Sequence, residues 1–222
     1  MRELWRDAQE KYSILKNFEV DGERILQVLY LVTAIRDKQL KYIEPTRSNL
    51  MDLKIERIKE EWIKASESLA KTYEFAKAQG ARPEILPRPS LLVSLAAVRS
   101  LIFNDAGTDP FNNSKNHDFI RRWYFSKVMQ SSRSQVSNYQ ISQDFQVLLK
   151  YARNGERPEF PQVTLNVEII LGLKPSDIPY KALQNIFAIT LCQDLRPGDI
   201  INTESQLHDH HILQRIQARN MF

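Results

Sequence analysis

The sequence predicts a mainly α chain, a multi-helix, bundle-like body followed near its C-terminus by one strand. Two observations lead there. Apolar residues recur at spacings of three and four in window after window, most clearly at Ile55, Ile58, Trp62, Ala65, Leu69, Tyr73 and Ala76. Glycine, proline and short polar clusters gather between those windows, where helices should stop.

The elements follow in order. Leu4, Trp5, Ala8, Tyr12 and Leu15 share one face of a helix over about 3–17. Asp21-Gly22-Glu23 offers an N-cap for the next helix, about 22–37, whose wide apolar stripe (Ile25, Leu26, Leu29, Val32, Ile35) predicts burial on most sides. After Pro45, with Thr46 or Ser48 as cap, one long helix should run over about 49–79. Gly80 suits a left-handed cap beyond it, and Pro83, Pro87 and Pro89 keep the chain from resuming a helix until Ser90. Ser90 to Phe103 is almost wholly apolar and reads as a central helix. Asn104 to Asn116 has the composition of a loop.

Two further helices are marked by Phe119, Ile120, Trp123, Tyr124 and Val128, and by Ile141, Phe145, Leu148 and Ala152 with Gly155 past the end. The polar bridge 131–140 is too short for a domain linker. Val163 to Leu171 fits a short strand or a helix equally well. Pro175-Ser176-Asp177 caps a helix over about 179–193, and Leu207 to Leu213 reads as a strand. The division that results is a helical domain, 1–175, and a second segment, 176–222, made of a helix and the strand.

Composition narrows the function. With 42% hydrophobic residues in 222, the chain can fill a core. Its most apolar stretch, Leu91 to Val98, is far short of a bilayer span, so no membrane partner is expected. The charged N-terminus lacks a signal peptide's apolar region, and the lone Cys192 cannot form an internal disulfide. A cytoplasmic protein is the expectation. The net charge of +4 is unevenly spread: residues 111–153 carry seven basic side chains against Asp118 and Asp144. Arg121, Arg122, Lys127 and Arg133 are therefore candidates for contacts to DNA phosphates, with a solvated helix face as the plainer reading. Trp123 and Tyr124 beside them read as core aromatics rather than base-stacking platforms.

Three of the four histidines fall in His208-Asp209-His210-His211, just before Ile212-Leu213. Imidazole binds divalent metals and accepts protons near neutral pH, so the cluster suits a metal-dependent hydrolase, or else is solvated and inert. Phosphate-cradling glycine loops, a Ser/His/Asp nucleophile set and a cysteine zinc site have no counterpart in the sequence.

The segment Leu207-His208-Asp209-His210-His211-Ile212-Leu213 is similar to the opening of HNH, or ββα-metal, nucleases. Upstream, Phe119-Ile120-Arg121-Arg122-Trp123-Tyr124-Phe125-Ser126 resembles a helix of the GmrSD-like, modification-dependent (type IV) restriction family. Leu86-Pro87 to Val98 looks like that family's LPY…LLxLA helix, and Arg196-Pro197-Gly198-Asp199-Ile200 like its approach to the nuclease strand. These segments occur in the family's order. The resemblance implies a bundle followed by the first strand of an incomplete HNH unit, in a protein that hydrolyses DNA phosphodiester bonds when complete. His211 would be the general base, His210 a ligand to a divalent metal (Mg or similar), and Asp209 and His208 orienting groups behind them.

The pattern also departs from the family. Gln214 stands where the family has proline, and only eleven residues follow His211, too few for the central Asn and final His or Asn of an HNH site. The DGQQR signature of the family's N-terminal nucleotide-binding module has no counterpart. The expectation is thus a fragment lacking that module and the C-terminal nuclease half, with no nuclease activity and no bound metal of its own. The alternative is a catalytically incomplete helical module that binds DNA or protein.

Overall fold

The computed structural model describes residues 2–37, 43–106, 114–130, 137–160 and 167–194. Among them are ten α-helices and no strand. The strand over Leu207 to Leu213 lies outside the described residues. No described helix is long and apolar enough to cross a membrane.

The reading of 3–17 as one helix is corrected by a break at Tyr12, whose ψ of 85° is non-helical. Two helices result, α1 (Arg2–Lys11) and α2 (Ser13–Asn17). The bend brings Ile14 into the core beside Leu15. α1 rests on the long helix α5 (Ile55–Ala78), where the Trp62 indole donates to the Leu4 carbonyl at 2.9 Å.

α3 (Gly22–Arg36) begins as expected, with the Asp21 carboxylate accepting the Arg24 amide at 3.0 Å. Its residues Ile25, Val28, Leu29, Leu31 and Val32 are all buried because it packs against both α5 and α6 (Pro89–Ala106).

The single helix expected over 49–79 is two. α4 (Arg47–Met51) is capped by Thr46, and Asp52 to Lys54 break the chain before α5. Lys54 is extended (ψ 133°). The break buries Leu50 and leaves Met51 and Ile55 exposed. From Ile58 onward the apolar periodicity holds, and each of its residues is buried.

α5 stops at Gly80, in the left-handed region at φ +81°. A Cβ there would lie 2.4 Å from the Asn185 carbonyl oxygen, so glycine is required by space as well as by backbone conformation. Asn185 is fully buried, and its amide nitrogen, turned toward α5, reaches the Gly80 carbonyl at 3.3 Å.

α6 opens with Pro89, which suits a first helical turn, and extends past the expected end at Phe103. Leu91, Leu92, Val93, Leu95, Ala96, Ala97 and Val98 are buried all round, since α6 packs on α3, α5 and α8. α7 (Ser114–Met129) and α8 (Asn138–Asn154) follow. α8 has a reciprocal Ser137–Gln140 capping box and a left-handed Gly155 at φ +71°. The ambiguous stretch after Val163 is helical over α9 (Val167–Gly172). α10 (Ile178–Asp194) packs on α7, and its Ile178 and Ala182 belong to the main core. The helix expected to open the second segment is therefore built into the helical body.

Candidate nucleic-acid interface

α7 carries three of the four candidate phosphate-binding cations; Arg133 lies outside the described residues. The helix buries Phe119, Ile120, Trp123, Tyr124 and Val128 along one stripe. That stripe turns Arg121 and Arg122 outward, and both are exposed. Trp123 and Tyr124 are completely buried, with the Tyr124 ring edge-on to Phe75 at 6.0 Å. Burial pushes the Tyr124 phenol well above its ordinary pKa, with Tyr73 adding to the shift. These aromatics are core packing, as the plainer reading had it, and cannot stack on bases.

Lys127 is placed differently from its two arginine neighbours. Its Nζ lies 2.8 Å from Oδ1 of Asp144, a carboxylate almost wholly buried on α8. The lysine stem runs along the protein while its head neutralises a charge taken out of water. Arg88, just ahead of α6, is also buried and donates from Nη1 to the Lys127 carbonyl at 3.4 Å. Burial lowers the Arg88 pKa, and the field of Asp144 opposes that shift. Arg88, Lys127 and Asp144 thus tie the start of α6 to α7 and α8. Next to them, the Ser94 hydroxyl donates to the Ile141 carbonyl at 2.8 Å.

Sequence reasoning passes over Arg88 and Asp144. A signal existed for the arginine: Arg88 and Arg99 are the only charges between Ile85 and Ile102, and both are buried. Asp144 has no such mark, since its partner Lys127 lies on another helix.

His208, Asp209, His210 and His211 lie outside the described residues, as does the metal position assigned to His210. Among the described residues no group of three or more His, Cys, Asp or Glu side chains could hold a metal ion. The described fourth histidine, His117, is exposed at the start of α7 and meets Phe75 edge-on at 5.8 Å. What α7 presents to solvent is a pair of adjacent guanidiniums on a rigid, well-anchored helix. Such a pair can contact successive phosphates and performs no chemistry by itself. No protein-family profile, curated protein or solved structure matches the chain.

Proposed function

We propose that the chain is part of a DNA-restriction protein of HNH endonuclease type, its helices forming a scaffold that grips DNA beside a phosphodiester-cleaving site. The observation that carries this reading is the exposed Arg121–Arg122 pair, which sits within the segment resembling the restriction family while its aromatic neighbours fill the core. In this reading His211 takes the proton from the attacking water, and Asp209 and His208 orient the imidazoles. A divalent metal at His210, Mg or similar, supplies neutralisation of the scissile phosphate. An upstream nucleotide-binding module and the remaining residues of the HNH unit are further parts that this reading requires.

The second reading is a helical DNA- or protein-binding module without chemistry. It is favoured by the fact that phosphate contacts by Arg121 and Arg122 need nothing beyond the described helices.

Both readings share the DNA contact, and one experiment tests it. Binding to a short duplex is measured across a salt series for the unaltered chain and for an Arg121→Gln/Arg122→Gln double variant. Each lost phosphate contact should lower the salt slope by about one, so the double variant loses about two. An unchanged slope removes the pair from the interface. Metal-dependent cleavage by the natural full-length protein then separates the readings. Loss of cleavage in His211→Ala supports the nuclease, whereas unchanged cleavage takes His211 out of the mechanism.

A further inference from the structure

A cleft of about 380 Å³ opens on the side of the body formed by the starts of three long helices. Asp21 and Arg24 line it from the cap and first turn of α3, Pro89 from the first residue of α6, and Ile178 from the first residue of α10. Each of these helices has at least 15 residues, so each brings the positive end of a full backbone dipole to the cleft.

A second observation points the same way without any helix dipole. Tyr73 lines the cleft yet is 97% buried, and its hydroxyl makes no hydrogen bond among the described residues. Arg24 and Asp21, which line the same cleft, both act electrostatically on that hydroxyl. Unlike the Tyr124 oxygen, the Tyr73 oxygen is not sealed in the core, so it is open to a group entering the cleft.

The charges around the cleft are mixed. Lys181 and Arg24 supply two cations, and the Arg24 guanidinium is braced by Gln27 at 3.0 Å. Glu19 and Asp21 supply two anions, of which Asp21 is engaged by the Arg24 amide. The Asp177 carboxylate accepts the Lys174 amide at 2.8 Å and so faces the turn before α10. With Asp21 already capping α3, the starts of α6 and α10, Lys181 and the Tyr73 hydroxyl leave room for one further negative group. The exposed Glu19 disfavours a chain of them, such as a nucleic-acid backbone. Pro83, Leu86 and Pro87 form a stiff apolar wall opposite, and the volume is of small-ligand size.

We propose that this cleft binds a small organic molecule bearing one oxyanion group, a phosphate monoester or a carboxylate, with its apolar body against the proline wall. The oxyanion takes hydrogen bonds from Tyr73 and Lys181 at the helix starts. The site is independent of the DNA-contacting face of α7.

The test is calorimetric titration of the whole chain at constant ionic strength with phenyl phosphate, benzoate and benzyl alcohol. Saturable one-to-one binding of phenyl phosphate or benzoate, with benzyl alcohol much weaker, is the expected result. The tighter of the two anions identifies the source of the charge. Lys181→Met and Tyr73→Phe should each weaken that anion about tenfold, the loss of one charge-assisted hydrogen bond, while circular dichroism and melting confirm the fold. Equal affinity for benzyl alcohol overturns the proposal, as does wild-type affinity in both variants or absence of anion binding. Displacement of bound phenyl phosphate by a short DNA duplex would also overturn it, by making the cleft part of a nucleic-acid surface.

Discussion

Two buried carboxylates, Glu61 on α5 and Asp144 on α8, are compensated in different ways. On α5, Glu61 is paired with Arg36 from the last turn of α3. Its second oxygen, Oε2, is buried with no hydrogen-bond partner, and Arg36 is its only ion-pair partner among the described residues. On α8, Asp144 is paired with Lys127 and also lies within the electrostatic reach of the buried Arg88. The first site is an anion that depends on a single cation. The second is an anion held by a lysine and by the field of a buried arginine. Glu61 therefore has a single cation to lose, whereas Asp144 keeps the field of Arg88 when its lysine is removed.

Arg36→Met should have the largest effect, because it strands Glu61 in the core with no second cation among the described residues. Removing one partner of a buried pair costs roughly 3–5 kcal/mol, and urea unfolding followed by circular dichroism should read a loss in that range. Lys127→Met should cost less, roughly 2–3 kcal/mol, because the buried Asp144 keeps the field of Arg88. The complementary changes should be milder. Asp144→Ala leaves a Lys127 that is 36% exposed, and Glu61→Ala an Arg36 that is 29% exposed, and both can turn to water. Each should cost about 1–2 kcal/mol, the scale of a lost hydrogen bond. If Asp144→Ala proves worse than Lys127→Met, or Glu61→Ala worse than Arg36→Met, the buried carboxylate is not the group stranded at each site.

The same contrast shows what was legible in the sequence. Helix periodicity and caps are local, so α3, the body of α5, the apolar α6 and the left-handed Gly80 and Gly155 could all be read directly. The breaks at Tyr12 and at Asp52 to Lys54 could not. None of those residues is glycine or proline, and each break is explained only by which neighbours become buried. The basic stretch was likewise half legible. Arg121, Arg122 and Lys127 look alike in a count of charges, but Lys127 alone meets a carboxylate, and that carboxylate lies on another helix. The exposed arginine pair was readable from the apolar stripe of α7, whereas the role of Lys127 needed tertiary structure. The cleft at the three helix starts had no sequence signature, since Arg24, Tyr73 and Lys181 are far apart along the chain. The histidine cluster was legible as a motif, and its surroundings lie outside the described residues.

Two buried phenols, Tyr73 on α5 and Tyr124 on α7, differ in how tightly they are enclosed, and alkaline titration measures that difference. Burial pushes Tyr73 up to about 12 from the ordinary 10.0, and it pushes Tyr124 on α7 higher still. Below pH 10 both folded and unfolded chains keep these phenols protonated, and no pH dependence arises from them. Above pH 10 the unfolded chain releases the protons while the folded chain holds them, so stability falls as pH rises. Each tyrosine contributes a slope of up to about 1.4 kcal/mol per pH unit, for Tyr73 until about pH 12 and for Tyr124 beyond it. Stability read from urea unfolding between about pH 9 and 12 should therefore decline with a slope that Tyr124→Phe and Tyr73→Phe each reduce by up to about 1.4 kcal/mol per pH unit. A slope unchanged in Tyr124→Phe would mean that its hydroxyl meets water in the folded state, and the α7 side would then be less tightly closed than its buried stripe requires.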